Sequence, residues 1–470
     1  MLLARVSGPS PQSRGLAGVV EGHATRVAPQ AGLAILALSA IYFVGPVLGL
    51  ALPLGAVVIL GAGAVVVELS PRWALEIAAA VGVLLLLRLN TVYSGYHLAL
   101  VATLFACRRR TWTLAVALIL LAVVVPKMLF WRFYGTPGFY NWLNEPSLAA
   151  AIFATAYWWR EAREGRLPSP VLRVAASVPA GSPTATVSKA DDPTPPTPPT
   201  PPTPSPLVAW ALLFFFPMHA ANPMVYGPGD LWRGRRVVRR AVLEGLALFV
   251  SKAAALAALR AAFPEHGYAA RPAAVLLHLP APQLWGIVML NYLDLVLTLS
   301  GTADLAVMVA RLYGWNLPSP FRWALLAWNP VELWRRWGVY NRRFLLKNVY
   351  FPLGGSSRRR LQNVLLTFLA SALVLHSGWL GSKYWTVGVG GWRDQSIYFL
   401  LQGIAVCVCL SFWRLTGKDP GADRDLRWSC ARLPAVLATQ AMSALVHVII
   451  LPQSVPLSDR WRLIARCLGI

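Results

Sequence analysis

Charge is scarce in this sequence. Only 13% of its 470 residues are Asp, Glu, Lys or Arg, and 56% are hydrophobic, whereas a soluble domain carries about 25% charged residues. That balance excludes a water-soluble globular protein and points to one that lives in a bilayer. Acidic residues are scarcer still, 19 against 43 basic ones. Cysteine is rare: Cys107, Cys407, Cys409, Cys430 and Cys467 form no C-x-x-C or zinc spacing, so neither a disulfide framework nor a structural metal is expected. The chain also lacks a Gly-rich phosphate loop, a G-x-S-x-G elbow and a metal-binding His pair, which leaves ATPase and hydrolase chemistry without local support. Residues 1–30 are polar, with Arg5, Arg14 and Arg26, and lack the short apolar core of a cleavable signal peptide.

Long apolar runs are what the chain does have, and its mean hydropathy is +0.53. No charge falls between Arg26 and Glu68. As helix that run is roughly 60 Å long, enough for two crossings of a ~30 Å hydrocarbon core, with Gly45-Pro46 and Pro53 supplying the break. Further runs lie near 74–89, 92–106, 112–131, 147–159, 241–262, 283–310, 362–380, 396–413 and 432–452. A shorter one at 207–221 is interrupted by Pro217 and reads as re-entrant. The expected fold is an all-α, polytopic membrane protein of about eleven transmembrane or re-entrant helices. Its expected organisation is a polar tail (1–30), a first set of membrane helices (31–165), a Pro/Thr-rich disordered linker (166–206) and a second helical core (207–470). The repeat DDPTPPTPPTPPTPSP in the linker can neither form a helix ladder nor bury a core.

The net charge of +24 suggests nucleic acid in a soluble protein, but here the basic residues sit between apolar runs. Arg108 to Arg110, Arg160 to Arg173, Arg233 to Arg240, Arg335 to Lys347 and Arg358 to Arg360 have the pattern of cytoplasmic loops facing anionic lipid. The bilayer is therefore the expected partner, and nucleic acid is not. A multi-pass membrane protein is therefore expected.

The richest stretch runs from Asn329 to His376. A basic, Trp-rich segment leads to a Pro-Leu-Gly-Gly turn, and an apolar helix then carries His376 about 14 residues, or roughly 21 Å, from its start near Gln362. An ionisable group at membrane depth costs several kcal/mol and is a functional candidate by default. Histidine, with an unperturbed pKa near 6.5, can stay neutral there and serve as a general base. The competing reading is a buried histidine hydrogen-bonded to a neighbouring helix.

Five segments, in order, resemble the membrane-bound O-acyltransferase family. They are FFFPMHAANPMVYG (214–227), LSGTADLAVMVARLYGWNLPSPF (299–321), WNPVELWRRW (328–337), NVYFPLGG (348–355) and LVLHSG (373–378). The Pro-Leu-Gly-Gly element is similar to that of the bacterial subgroup active in alginate O-acetylation and teichoic-acid D-alanylation. The resemblance covers about 207–413. It implies that His376 is the catalytic histidine and that Arg335, Arg336 and Trp337 line a cytoplasmic funnel. Asp304 is a further candidate for the donor tunnel, with a structural role as its alternative.

One position departs from the family pattern. Where a second functional histidine or asparagine follows Arg-Arg-Trp, this chain has Gly338; Asn341, one helical turn on, is the candidate replacement. The resemblance further implies a thioester donor such as acyl-CoA with no bound cofactor and no metal. It also implies acyl transfer, acetyl by expectation, to a hydroxyl of an exported polysaccharide, and a possible extracytoplasmic partner that takes the acyl group onward. A catalytically inactive scaffold of the same fold and a transporter are the rival readings. Asp294, His219, His447 and the Arg358 to Arg360 run are weaker candidates, the last for coenzyme-A phosphates.

Overall fold

A computed structural model describes residues 31–48, 52–70, 73–89, 237–264, 273–315, 317–372, 391–417, 430–450 and 455–470. Among them every regular element is helical. Helix α1 (Ala31–Leu48) ends in a tight turn at Gly45–Leu48, and α2 (Leu54–Leu69) begins directly after Pro53. The uncharged run is thus divided where its Gly-Pro and Pro residues fall. Helix α3 (Ala74–Leu89) follows. Then come α4 (Arg239–Ala262), α5 (Ala273–His278) and α6 (Ala281–Leu312). The short helices α7 (Pro330–Arg336) and α8 (Val339–Leu345) precede α9 (Arg360–Ala370). Last are α10 (Gly391–Leu415), α11 (Leu433–His447) and α12 (Leu457–Cys467).

Five of these are long and apolar enough to cross a membrane: Ala31–Leu48, Arg239–Ala262, Ala281–Leu312, Asp394–Leu415 and Leu433–Ile450. Helices α2 and α3 are apolar but shorter. The expected runs 92–106, 112–131, 147–159 and 207–221, the linker 166–206 and His376 lie outside the described residues, so the count of eleven extends beyond them.

Helix α6 is the axis of the bundle. Its 32 residues span roughly 48 Å, and every residue from Ser300 to Leu312 is buried. Helices α1 to α3 share one hydrophobic core with α4, the C-terminal half of α6 and Tyr340. A second core joins the N-terminal half of α6 to α5, α11 and α12. Against hydrocarbon, buried polar groups must find partners within the protein, because no water is there to take them. Along the α4–α6 seam polar side chains pair at three levels, the first of them partly exposed and the other two built on the buried Asp304 and Arg311. Arg260 donates to both carboxylate oxygens of Asp294 at 2.7 and 2.9 Å, and also to the Val47 carbonyl at 2.8 Å. Lys252 pairs with Asp304. Arg311 reaches back to the Ala241 carbonyl at 2.5 Å and to that of Leu317 at 3.0 Å.

A second station locks the other end. Arg460 of α12 is fully buried and donates to Asp394 of α10 at 2.7 Å, and to the carbonyls of Val455 and Ile449 at 2.8 and 2.6 Å. One side chain thereby joins α10, the end of α11 and α12. Replacing Arg460 by Met is expected to destabilise the protein by about 3–5 kcal/mol, because the buried Asp394 carboxylate loses the cation it pairs with. Adding Asp394→Leu should recover most of that loss. Thermal unfolding in nanodiscs followed by tryptophan fluorescence checks both, and an unchanged midpoint for Arg460→Met would show that the pair contributes nothing.

Candidate active site

The site is built by the chain from Asn329 to Ser371, and each bend has a local cause. The Asn329 side chain caps α7 by accepting the Glu332 amide at 2.8 Å, and Pro330 occupies the first turn, where its missing N–H is no loss. Glu332 then holds two arginines, Arg335 at 3.1 Å and Arg336 at 3.0 Å. Arg336 is buried by this pairing, and its guanidinium also stands 5.0 Å over the Trp328 ring. At Gly338 the backbone turns left-handed (φ +54°), which separates α7 from α8. After α8 the helix widens through Leu346–Tyr350 and enters the Pro-Leu-Gly-Gly turn, where Gly354 (φ +102°) and Gly355 (φ +57°) take conformations that side chains disfavour. Asn363 fastens this turn to α9, donating to the carbonyls of Gly355 at 2.9 Å and Arg358 at 2.7 Å.

These pieces and α10 enclose a cavity of about 300 Å³. Its walls are apolar, with Trp334, Trp337, Leu345, Phe368, Val406 and Leu410. Trp334 is fixed edge-on to Phe368 and donates its indole N–H to Gln402 of α10 at 3.2 Å. Set into the apolar wall are Arg335, Arg342 and Arg360, together with Asn341, Thr367 and Ser371. Burial holds the Arg342 guanidinium below the usual arginine value, and the like charges of Arg335, Arg343 and Arg322 add to this while Glu332 pulls the other way. Cations outnumber the acids that face them, so this corner of the cavity is prepared for an anionic ligand.

Asn341 lies beside Gly338. Its carboxamide oxygen is buried without a hydrogen-bond partner, and an atom added at Gly338 in the Cβ position would stand 3.8 Å from the Asn341 amide nitrogen. A side chain at 338 would therefore enter space that Asn341 already borders.

The expected site residues thus part company. Arg335, Trp337 and Asn341 line the cavity. Arg336 does not: it faces Glu332 and Trp328. Asp304 is also absent from the lining and is engaged by Lys252 and by the Ser319 hydroxyl at 2.5 Å. His376 lies outside the described residues; the last described residue lining the cavity ahead of it is Ser371, earlier in the chain. His219 is likewise outside them. His447 is buried with its ring 6.2 Å from that of Tyr292, and Asp294 serves the α4–α6 seam. Arg342 was hidden within a run of basic residues, and no spacing rule carries through the left-handed break at Gly338. Arg360 was legible only as part of its basic cluster.

Residues 284–380 match the profile of MBOAT, the membrane-bound O-acyltransferase family. The matched stretch runs from α6 through α9 and includes His376, so most of the residues lining the cavity fall within it. Over 139 residues the chain is 30% identical to a peptidoglycan O-acetyltransferase of Helicobacter pylori (strain ATCC 700392 / 26695). That alignment covers 29% of this chain and 24% of the relative, so the chain spans about a quarter of the length of the curated relative it matches. With its apolar helices, the protein is a helical membrane protein, and one stretch of it matches the membrane-bound O-acyltransferase family.

The left-handed bend makes a test of position 338. Gly338→Val should lower stability by about 1–2 kcal/mol, the cost of a side chain in that conformation. Gly338→Asn should cost clearly less, since asparagine tolerates it. Thermal midpoints of the two variants decide, and equal midpoints would show that the bend is not under this constraint.

Proposed function

We propose that the protein is an O-acyltransferase of the cell inner membrane, moving an acyl group, acetyl by expectation, from a cytoplasmic thioester to a hydroxyl of an exported polysaccharide. The observation that carries this reading is the apolar cavity with three arginines in its wall, most of whose lining, those arginines included, falls in the region matched to the acyltransferase family. An acyl-CoA donor joins a short acyl group and a pantetheine arm to phosphates. The apolar wall suits the first part. Arg335, Arg342 and Arg360 suit the phosphates through charge-assisted hydrogen bonds.

In this reading His376 is the general base. It takes the proton of the acceptor hydroxyl as the oxygen attacks the thioester carbonyl; the tetrahedral intermediate then expels the thiolate, which takes the proton back from His376. Atoms and charge balance without a metal. Asn341, whose amide can turn either its oxygen or its NH₂ group into the cavity, holds the carbonyl oxygen in place of the polar side chain that Gly338 lacks. The peptidoglycan activity of the relative supports an exported glycan as acceptor. An extracytoplasmic partner that carries the acyl group onward belongs to the same proposal. Gly338 favours the rival reading, a non-catalytic scaffold, and the experiment below separates the two.

Incorporation of labelled acetyl-CoA into cell-surface material is compared at equal membrane expression. His376→Ala should lower incorporation at least about 100-fold, and Asn341→Ala about 100-fold. Arg342→Ala should raise the donor KM with little change in kcat, as expected for binding lost equally from ground and transition states. Equal incorporation by His376→Ala and the intact protein would remove the enzymatic assignment.

A further inference from the structure

Asp304 is buried, charged and outside the cavity, yet its partners lead straight to it. One carboxylate oxygen pairs with Lys252 of α4. The other accepts the Ser319 hydroxyl at 2.5 Å. Ser319 belongs to the loop that follows α6, and its hydroxyl also meets the backbone of Phe321, at 3.2 Å to the carbonyl and 3.3 Å to the amide. That loop runs alongside the bend between α7 and α8. The Arg322 amide donates to the Arg336 carbonyl at 2.9 Å, and the Val339 amide donates to the Pro320 carbonyl at 3.0 Å. The two bonds fall on either side of Gly338. The fully buried Tyr340 adds a third tie, donating its hydroxyl to the Pro318 carbonyl, and the Phe321 ring meets Trp337 edge-on at 5.1 Å.

We propose that Asp304 and Ser319 are positioning residues: anchored by Lys252, they hold the loop 317–322 as a clamp on Gly338 and thereby set Asn341 in the cavity. The physical need is specific. A glycine in the left-handed region has more backbone freedom than any other residue, and Asn341 lies one helical turn beyond it. Unclamped, the bend swings the α8 start relative to Trp334 and Trp337 of the cavity wall. A shift of about 1 Å in a group that holds a reacting carbonyl costs up to about 100-fold in rate. The clamp's own anchor is strong because it lies in the apolar bundle, where Asp304 has no competing water. This inference rests on the reading of Asn341 as the group that holds the thioester carbonyl.

The experiment is a double-mutant cycle between Ser319→Ala and Asn341→Ala, on the full chain in nanodiscs, with amide hydrogen exchange read by mass spectrometry. Ser319→Ala alone should lower kcat about tenfold with the donor KM changed less than about twofold, and Ser319→Thr should restore it. In the Asn341→Ala background the same change should cost nothing further, because coupled residues are not additive. Exchange across 320–322 and 336–341 should quicken in Ser319→Ala while α4 and α6 keep their protection. Asp304→Asn, which retains an oxygen for Ser319, should quicken it less than Asp304→Leu. Equal losses in both backgrounds, or unchanged exchange at the bend, would overturn the proposal. If the intact protein transfers no acetyl group, the function above fails, and the exchange measurement still decides whether the clamp exists.

Discussion

The pairing of Lys252 with Asp304 is the constraint on which the rest of the structure depends. It places opposite charges in the bundle, with Asp304 buried and Lys252 only partly exposed, so the carboxylate is tolerable only while its cation is in place. The pair fixes the register of α4 on α6, with Arg260–Asp294 and Arg311 repeating the same solution towards the two ends. It also leaves a second carboxylate oxygen free to hold Ser319. A stabilising device in the core therefore becomes the reference point for a loop, and through that loop for the wall of the cavity.

Arginine is used here in two opposed ways. Arg311, Arg336 and Arg460 are buried and engaged by carbonyls or carboxylates; Arg311 and Arg460 tie helices together, while Arg336 pairs within α7 with Glu332. Arg335, Arg342 and Arg360 are instead gathered at a cavity. Burial first, and like-charge neighbours after it, penalise the Arg342 cation there, an arrangement that a bound anion relieves. The difference lies in the balance of charge around each guanidinium, not in its exposure alone. Glu332 stands at the division, with one oxygen on Arg335 and the other on Arg336.

Polar residues in the spanning helices follow a helical period. On α10, Asp394, Tyr398 and Gln402 recur every fourth residue and are buried. On α11, Gln440, Ser443 and His447 share one face and are buried too. Tyr292 of α6 stands at the second stripe, donating to Gln440 at 3.1 Å, while Gln440 donates to the Ala324 carbonyl at 3.1 Å. The stripes bring α10 and α11 into register with the segment that carries α7, since Trp334 ends on Gln402. The cavity wall is thus held from α6 on one side and from α10 and α11 on the other.

Much of this was legible in the chain itself. Apolar runs with few charges set where helices form, because backbone groups in hydrocarbon can be satisfied locally only by the helix ladder. Helices α3, α4, α6, α10 and α11 accordingly lie close to their runs. The Gly-Pro and Pro-Leu-Gly-Gly residues marked the breaks, and the ordered motifs marked the stretch from Asn329 to His376. Side-chain direction was not legible, because it depends on which neighbour a residue finds across space. Arg335 and Arg336 are adjacent and chemically identical, yet one lines the cavity and the other is drawn inward by Glu332 and Trp328. Asp304 could be read from sequence as a tunnel candidate or a structural residue, and its partner Lys252, 52 residues away, could not be read at all. Sequence alone determined the membrane-helical class and the stretch that builds the site, since both follow from local composition and order. Only the tertiary structure decided which charges face the cavity and which hold its walls, because charge pairing is settled by contacts between distant parts of the chain.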